Sequence, residues 1–99
     1  MADSRHDLDT VLAMEGALAT ACGYECVPLN YPTDGEPKVS RPTITTDGKV
    51  HRFVCEAVLA ESTPEYHRVV ITARETTGGQ AGDTATREVR VFADGHWEF

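Results

Sequence analysis

Apolar residues near the start of the chain recur at the spacing of a helix that packs along one side. These positions, near i, i+3 and i+4, are Leu8, Val11, Leu12, Leu18 and Cys22. Several alanines between them favour the helix, and Gly23 is a typical residue just after a helix C-terminus. The pattern therefore predicts a helix over residues 5–22.

The rest of the chain alternates between apolar and polar residues, which is the period of a β-strand. This alternation predicts strands over residues 24–27, 43–46, 49–61, 66–75 and 85–93. The Asp47-Gly48 pair predicts a tight hairpin, because type I′ turns need residues that tolerate a positive φ. Pro28 would confine the first strand to a sheet edge. A proline-rich loop over 30–42 and a glycine-rich loop over 76–84 are also predicted.

Strand parity places one set of apolar residues on a common face of the predicted sheet. The set comprises Phe53, Cys55, Ala57, Leu59, Val69, Ile71, Ala73, Val89, Val91 and Ala93. Antiparallel pairing aligns them in the rows Ala57–Ile71–Val89 and Leu59–Val69–Val91. The sequence thus predicts one α+β domain spanning residues 1–99, in which an N-terminal helix covers one face of a four- to five-stranded antiparallel meander.

The opposite face of this sheet is predicted to bind another molecule. Its candidate residues are Val54, Val58, Arg68, Val70, Arg90, Phe92 and Trp97, with the expected rows Val58–Val70–Arg90 and Arg68–Phe92. Valines, an aromatic ring and arginines are typical of an interface, and the sequence predicts no second helix to cover them. The alternative is that the valines are present for strand propensity alone.

The net charge of the chain and its distribution make some classes of binding partner unfavourable. The chain has 99 residues and a net charge of −7, and residues 1–37 hold seven acidic residues and one arginine, a net charge of −6. A basic stripe is absent, so nucleic acid and anionic membrane surfaces are unfavourable partners. No apolar run reaches the 18 residues of a membrane-spanning helix. The odd count of three cysteines argues against a disulfide scaffold and predicts a cytoplasmic setting.

Metal binding and catalysis have weak signals. Cys22 and Cys26 have ligand-like spacing, and His51 could complete an alternative zinc site. His51 and Cys55 together could not bind one ion, because four strand residues span about 13 Å. Cys55 with His51 or His67 resembles a catalytic pair only in residue type, because a thiol in the middle of a core is inert. The sequence predicts neither an enzyme nor a cofactor.

These observations predict a non-enzymatic protein-binding module of the regulator, inhibitor or accessory type. It would act through the free sheet face or an edge strand, as a homodimer or with a protein partner that presents a basic surface. An alternative is a small-ligand pocket between helix and sheet, roofed by residues 30–42 and lined by Tyr24, Tyr31, His51 and Phe53.

Overall fold

The computed structural model describes residues 4–77 and 84–99, with side chains from residue 7 onward. Its helices are α1 (Ser4–Cys22) and α2 (Val27–Asn30), joined by a 3₁₀ helix (Tyr24–Cys26). Its strands are β1 (Lys38–Ser40), β2 (Thr43–Thr46), β3 (Lys49–Ser62), β4 (Tyr66–Glu75), β5 (Thr84–Phe92) and β6 (Trp97–Glu98). The predicted α+β architecture is confirmed: α1 packs on β4 and β5 of an antiparallel sheet. Most of the predicted 76–84 loop lies outside the described residues.

The N-terminal helix confirms the prediction over residues 5–22. Leu8, Val11, Leu12 and Ala19 are buried on the side that faces the sheet. The assignment of Leu18 to this side is wrong: Leu18 is 64% exposed, because Ala19 is the residue of that turn that packs on the sheet. The helix ends before Gly23, whose φ of 84° is one that a side chain would strain. None of the described helices is long and apolar enough to cross a lipid bilayer.

The strand predicted over residues 24–27 is wrong. The chain forms the 3₁₀ helix and then α2, which holds Pro28 in its first turn. Proline is tolerated there because the first amide groups of a helix have no intrahelical acceptor. The segment also has a core role, since Val27 is fully buried.

The central hairpins of the sheet agree closely with the prediction. Asp47 and Gly48 connect β2 to β3 with φ values of 52° and 76°, both positive as the Asp-Gly pair predicts. In the β3–β4 pairing, Ala57 lies opposite Ile71 and Leu59 opposite Val69, as predicted. An irregularity between Leu59 and Glu61 then shifts the register.

The predicted pairing of β4 with β5 is wrong by two residues. Val69 lies opposite Val89, whereas Ile71 lies opposite Arg87. The expected row Val58–Val70–Arg90 therefore ends at Glu88, and Phe92 lies opposite Tyr66 rather than Arg68. A two-residue slip keeps every side chain on its own face, so the prediction of which residues are buried survives the error.

Two short strands were not predicted. β1 lies within the proline-rich loop and pairs with residues 55–57 of β3. β6 returns after the turn at Gly95 and pairs with Arg90 and Val91 at the other edge. The sheet order is β1-β3-β4-β5-β6, with β2 also paired to β3.

The predicted core face is buried, with two exceptions at its margins. Phe53, Ile71, Val69 and Val89 are among the largest fully buried side chains. Leu59 is only partly buried, and Ala93 is exposed because it lies in the turn after β5. The buried residues of α1 join this cluster, so the helices of the described residues lie on one side of the sheet.

Candidate functional site

The face of the sheet opposite the helices forms the open sheet face. Val58 and Val70 lie directly opposite each other across β3 and β4, with Val54 farther along β3. All three valines are partly buried, which leaves an apolar patch in the middle of the face. We define the open sheet face by Val54, Glu56, Val58, Arg68, Val70, Thr72, Arg74, Glu88, Arg90 and Phe92. No helix of residues 4–77 and 84–99 lies over it.

Charged residues surround these valines, and they fall into two groups. Arg68 bonds Glu88 at 2.6 Å and Glu61 at 3.4 Å, and Arg90 lies 3.8 Å from Glu98. The hydrogen bond that Arg68 donates to the Glu88 carboxylate raises the pKa of Arg68, so that guanidinium stays charged.

The second group consists of two charged residues that form no ion pair within the described residues. Glu56 and Arg74 are exposed, and neither forms an ion pair with another residue of 4–77 or 84–99. With Val54, Thr72 and Thr84 they line a shallow depression of about 150 Å³. A carboxylate and a guanidinium are therefore available beside the valine patch.

One end of the open sheet face is aromatic. Tyr66 and Phe92 lie 5.4 Å apart between ring centroids, and His96 stacks on Phe92 at 4.0 Å. Asp94 bonds the His96 ring at 2.5 Å. The pKa of Asp94 is lowered, first by the His96 backbone amide and then by the His96 ring.

Trp97 does not belong to the open sheet face. It lies opposite Val91 in the β5–β6 pairing, and opposed residues point to the same side of a sheet. Val91 is in the core, so Trp97 is on the helix side, where its ring meets Phe99 edge-on at 5.2 Å. Phe99 covers Gly16 of α1 so closely that a β-carbon there would overlap its ring.

The four residues of the alternative ligand pocket are in different surroundings. Phe53 is in the core with 1% of its surface exposed, and Tyr31 is buried beneath Lys38, whose amine lies 4.9 Å from the ring centroid. Tyr24 stacks on His67 at 4.2 Å, and His51 bonds Glu75 at 3.1 Å. Tyr24 and His51 contact opposite ends of β4, so the structure does not bring the predicted set together.

The structure brings the two cysteines of the alternative zinc site close together but leaves His51 elsewhere. Burial raises the pKa of Cys22, and the neighbouring Cys26 raises it further. Within the described residues, no three histidine, cysteine or carboxylate side chains converge as metal ligands would. Asn30 donates a hydrogen bond to the Cys22 sulfur at 2.7 Å, which accounts for one contact of that thiol without an ion.

Cys55 is the third thiol, and its surroundings suppress reactivity. Burial, followed by the charge of Glu15, raises the pKa of Cys55 to about 11. Cys55 lies opposite Ala73, six residues along β4 from His67, a separation of roughly 20 Å. The structure therefore does not form the Cys55–His67 pair.

His67 is a buried base that couples stability to pH. Only 6% of its surface is exposed, and burial lowers its pKa from 6.5. Below pH 6.5 the unfolded chain therefore binds protons more readily than the folded protein does. The contribution of neutral His67 to the free energy of unfolding is therefore complete above pH 6.5. It declines as the pH falls toward the pKa of His67 in the folded protein.

We expect the His67→Gln variant to show a weaker loss of stability than wild type between about pH 7.5 and about pH 5. Urea unfolding at each pH gives the free energies. Ser62→Ala is the matched control, because it removes the 2.8 Å contact to His67 but keeps the burial that lowers the pKa. Equal pH profiles for wild type and His67→Gln would contradict this role.

Comparison with protein-family models, with curated proteins and with solved structures found no match to this chain.

Proposed function

We propose that the chain is a small, acidic, non-enzymatic protein-binding module of the cytoplasm that binds a second copy of itself through the open sheet face. The proposal rests on the cross-strand pair of Val58 and Val70, which lies beside the exposed charges of Glu56 and Arg74. Unpaired cysteines favour the cytoplasm. A Cys55 thiol with a pKa of about 11 favours a binding role over nucleophilic catalysis.

The register of the sheet makes this face suitable for pairing with itself. A two-fold axis parallel to the strands and midway between β3 and β4 exchanges the positions of Val58 and Val70. Each valine then packs on the other across the interface, at the roughly 10 Å spacing of stacked sheets. The same axis places Glu56 of one copy over Thr72 of its partner, within side-chain reach of Arg74.

Charge on this face favours a second copy over a partner with a basic surface. Arginines and glutamates are both present on the face, so neither sign dominates it. The strongly acidic segment of the chain is residues 1–37, which precede β1. A basic partner would be steered toward that segment, whereas a face that carries both signs of charge can complement another copy of itself.

Charge reversal tests this pairing. The wild type should have a mass by light scattering of at least twice 10.8 kDa over a tenfold concentration range. Glu56→Arg and Arg74→Glu should each weaken association by about tenfold or more, because the axis replaces two ion pairs with two repulsions. The double variant should restore it, since the pairs re-form with exchanged ends.

Glu36→Arg is the control for Glu56→Arg, because it makes the same charge change at an exposed loop position. It should leave the mass unchanged. A wild type of 10.8 kDa throughout would refute the homodimer, and a double variant as weak as the single variants would refute the Glu56–Arg74 contact.

A further inference from the structure

The outward side of α1 is apolar, which is unusual for a helix on the surface of a domain. From Thr10 to Cys22 the chain has a single charged residue, Glu15. A surface helix usually turns charged residues to water, whereas a helix that is apolar all round is normally buried. We define the outer helix face by its exposed residues Ala13, Met14, Ala17, Leu18 and Ala21.

Glu15 does not make this face polar, because its side chain turns toward the sheet. It is partly buried and accepts a hydrogen bond from Ser40 of β1 at 3.0 Å. Its charge also raises the pKa of Tyr31 and of Cys55, both buried groups, after the larger effect of burial. Met14 and Leu18 are therefore exposed to solvent, with 52% and 64% of their surface accessible. None of the residues of the outer helix face is charged.

The order of large and small residues on this face is complementary to itself. Met14, Ala17, Leu18 and Ala21 follow i, i+3, i+4 and i+7 spacing and lie on one side of α1. A two-fold axis between positions 17 and 18 makes two copies of α1 antiparallel. Met14 then lies across from Ala21 of the partner, and Leu18 lies across from Ala17 of the partner.

We propose that the outer helix face binds the same face of a second copy, with the two α1 helices antiparallel. Each large side chain then enters the space that a small one leaves, as ridges pack into grooves between helices. A partner of another sequence would need the same alternation by coincidence, whereas a copy supplies it through symmetry. Phe99 covers Gly16 on a different side of the helix, so Ala17 and Ala21 provide the close approach.

The two self-contacts lie on opposite sides of the domain, and this decides how copies assemble. Each face-to-face contact has its two-fold axis in its own contact plane, and the two planes are separated by the thickness of the domain. Two such axes combine to a screw operation whose translation runs along the stacking direction, so the copies never close into a ring. The α1 contact stands on its own observation, and with the sheet contact it would join copies into an open row.

The experiment compares Ala17→Glu, Val70→Glu and the double variant by light scattering over a tenfold concentration range. The wild type should exceed the mass of a dimer at the highest concentration, and each single variant should stop at a dimer held by the other contact. The double variant should have the monomer mass of 10.8 kDa. Thr33→Glu, which adds a charge to an exposed loop, is the matched control and should behave as wild type.

The outcomes separate the two proposals. If Ala17→Glu has the same mass as Thr33→Glu at every concentration, the α1 contact is wrong and the sheet contact is unaffected. If the single variant Ala17→Glu is a monomer and Val70→Glu has the mass of the wild type, the sheet contact is wrong and the α1 contact holds.

A second measurement guards against a variant that fails to fold. Both variants of this test carry Val70→Glu, so that only the α1 contact remains. Ala17→Glu and Ala17→Lys should each be monomeric because like charges meet near the axis, and an equal mixture should form dimers. Circular dichroism should show that each variant keeps its helix. A mixture that stays monomeric would overturn the α1 contact.

Discussion

Replacing Phe53 with alanine should lower the free energy of unfolding by about 3 to 5 kcal/mol, the usual range for a fully buried aromatic residue. Phe53 is in the core with 1% of its surface exposed, and it heads the largest fully buried side chains. The loss would combine removal of a ring from an apolar environment with the cavity that it leaves. Urea unfolding followed by circular dichroism measures it.

Val54→Ala is the control, because Val54 is the next residue of β3 and points to the open sheet face. Its smaller, partly buried side chain should cost about 1 kcal/mol or less. The comparison also tests the alternative in which Phe53 lines a ligand pocket. A Phe53→Ala variant as stable as Val54→Ala would mean that the ring is not packed as the structure has it.

The sequence could predict which residues are buried because a strand exposes its two sides in strict alternation. Strand parity alone predicts that Val69, Ile71 and Val89 are in the core, and each is buried. The β4–β5 register could not be predicted in the same way. Slipping the strands by two residues moves Val89 from Ile71 to Val69 without changing a face, so the hydrophobic pattern is equally well satisfied.

The errors at Tyr24–Val27 and Trp97 have a common physical cause, which is the shortness of the segments. Four residues that alternate apolar and polar fit one turn of helix as well as a strand, and Pro28 is compatible with both. Trp97 follows a turn, and a turn can reverse which residues face the core. The backbone pairing with Val91 decides its side, and parity along β5 does not extend to it.

The outer helix face had a signal in the sequence that periodicity did not reveal. Helical spacing selects Leu8, Val11 and Leu12 for the core, and the alanines of α1 then count only as residues of high helix propensity. The informative feature is the missing charge between Thr10 and Cys22. This absence of charge predicts that the outward side of α1 is apolar.

Val70→Glu should weaken self-association through the open sheet face by about a hundredfold or more while the domain stays folded. Val70 lies opposite Val58 at the middle of the proposed contact, so each interface would contain two unpaired carboxylates. An uncompensated buried charge is among the most costly changes to an interface. Light scattering of Val70→Glu in the Ala17→Glu background should give a folded monomer of 10.8 kDa.

Two further substitutions to glutamate show whether the loss of association in Val70→Glu depends on the position of the new charge. Val50→Glu places a carboxylate on an exposed valine of β3, eight residues from Val58, and should leave association unchanged. Ile71→Glu, one residue beyond Val70, should unfold the domain because that side chain is in the core. A Val70→Glu variant that unfolds like Ile71→Glu would mean that Val70 is needed for folding. That result would contradict the proposal that the open sheet face is a binding surface.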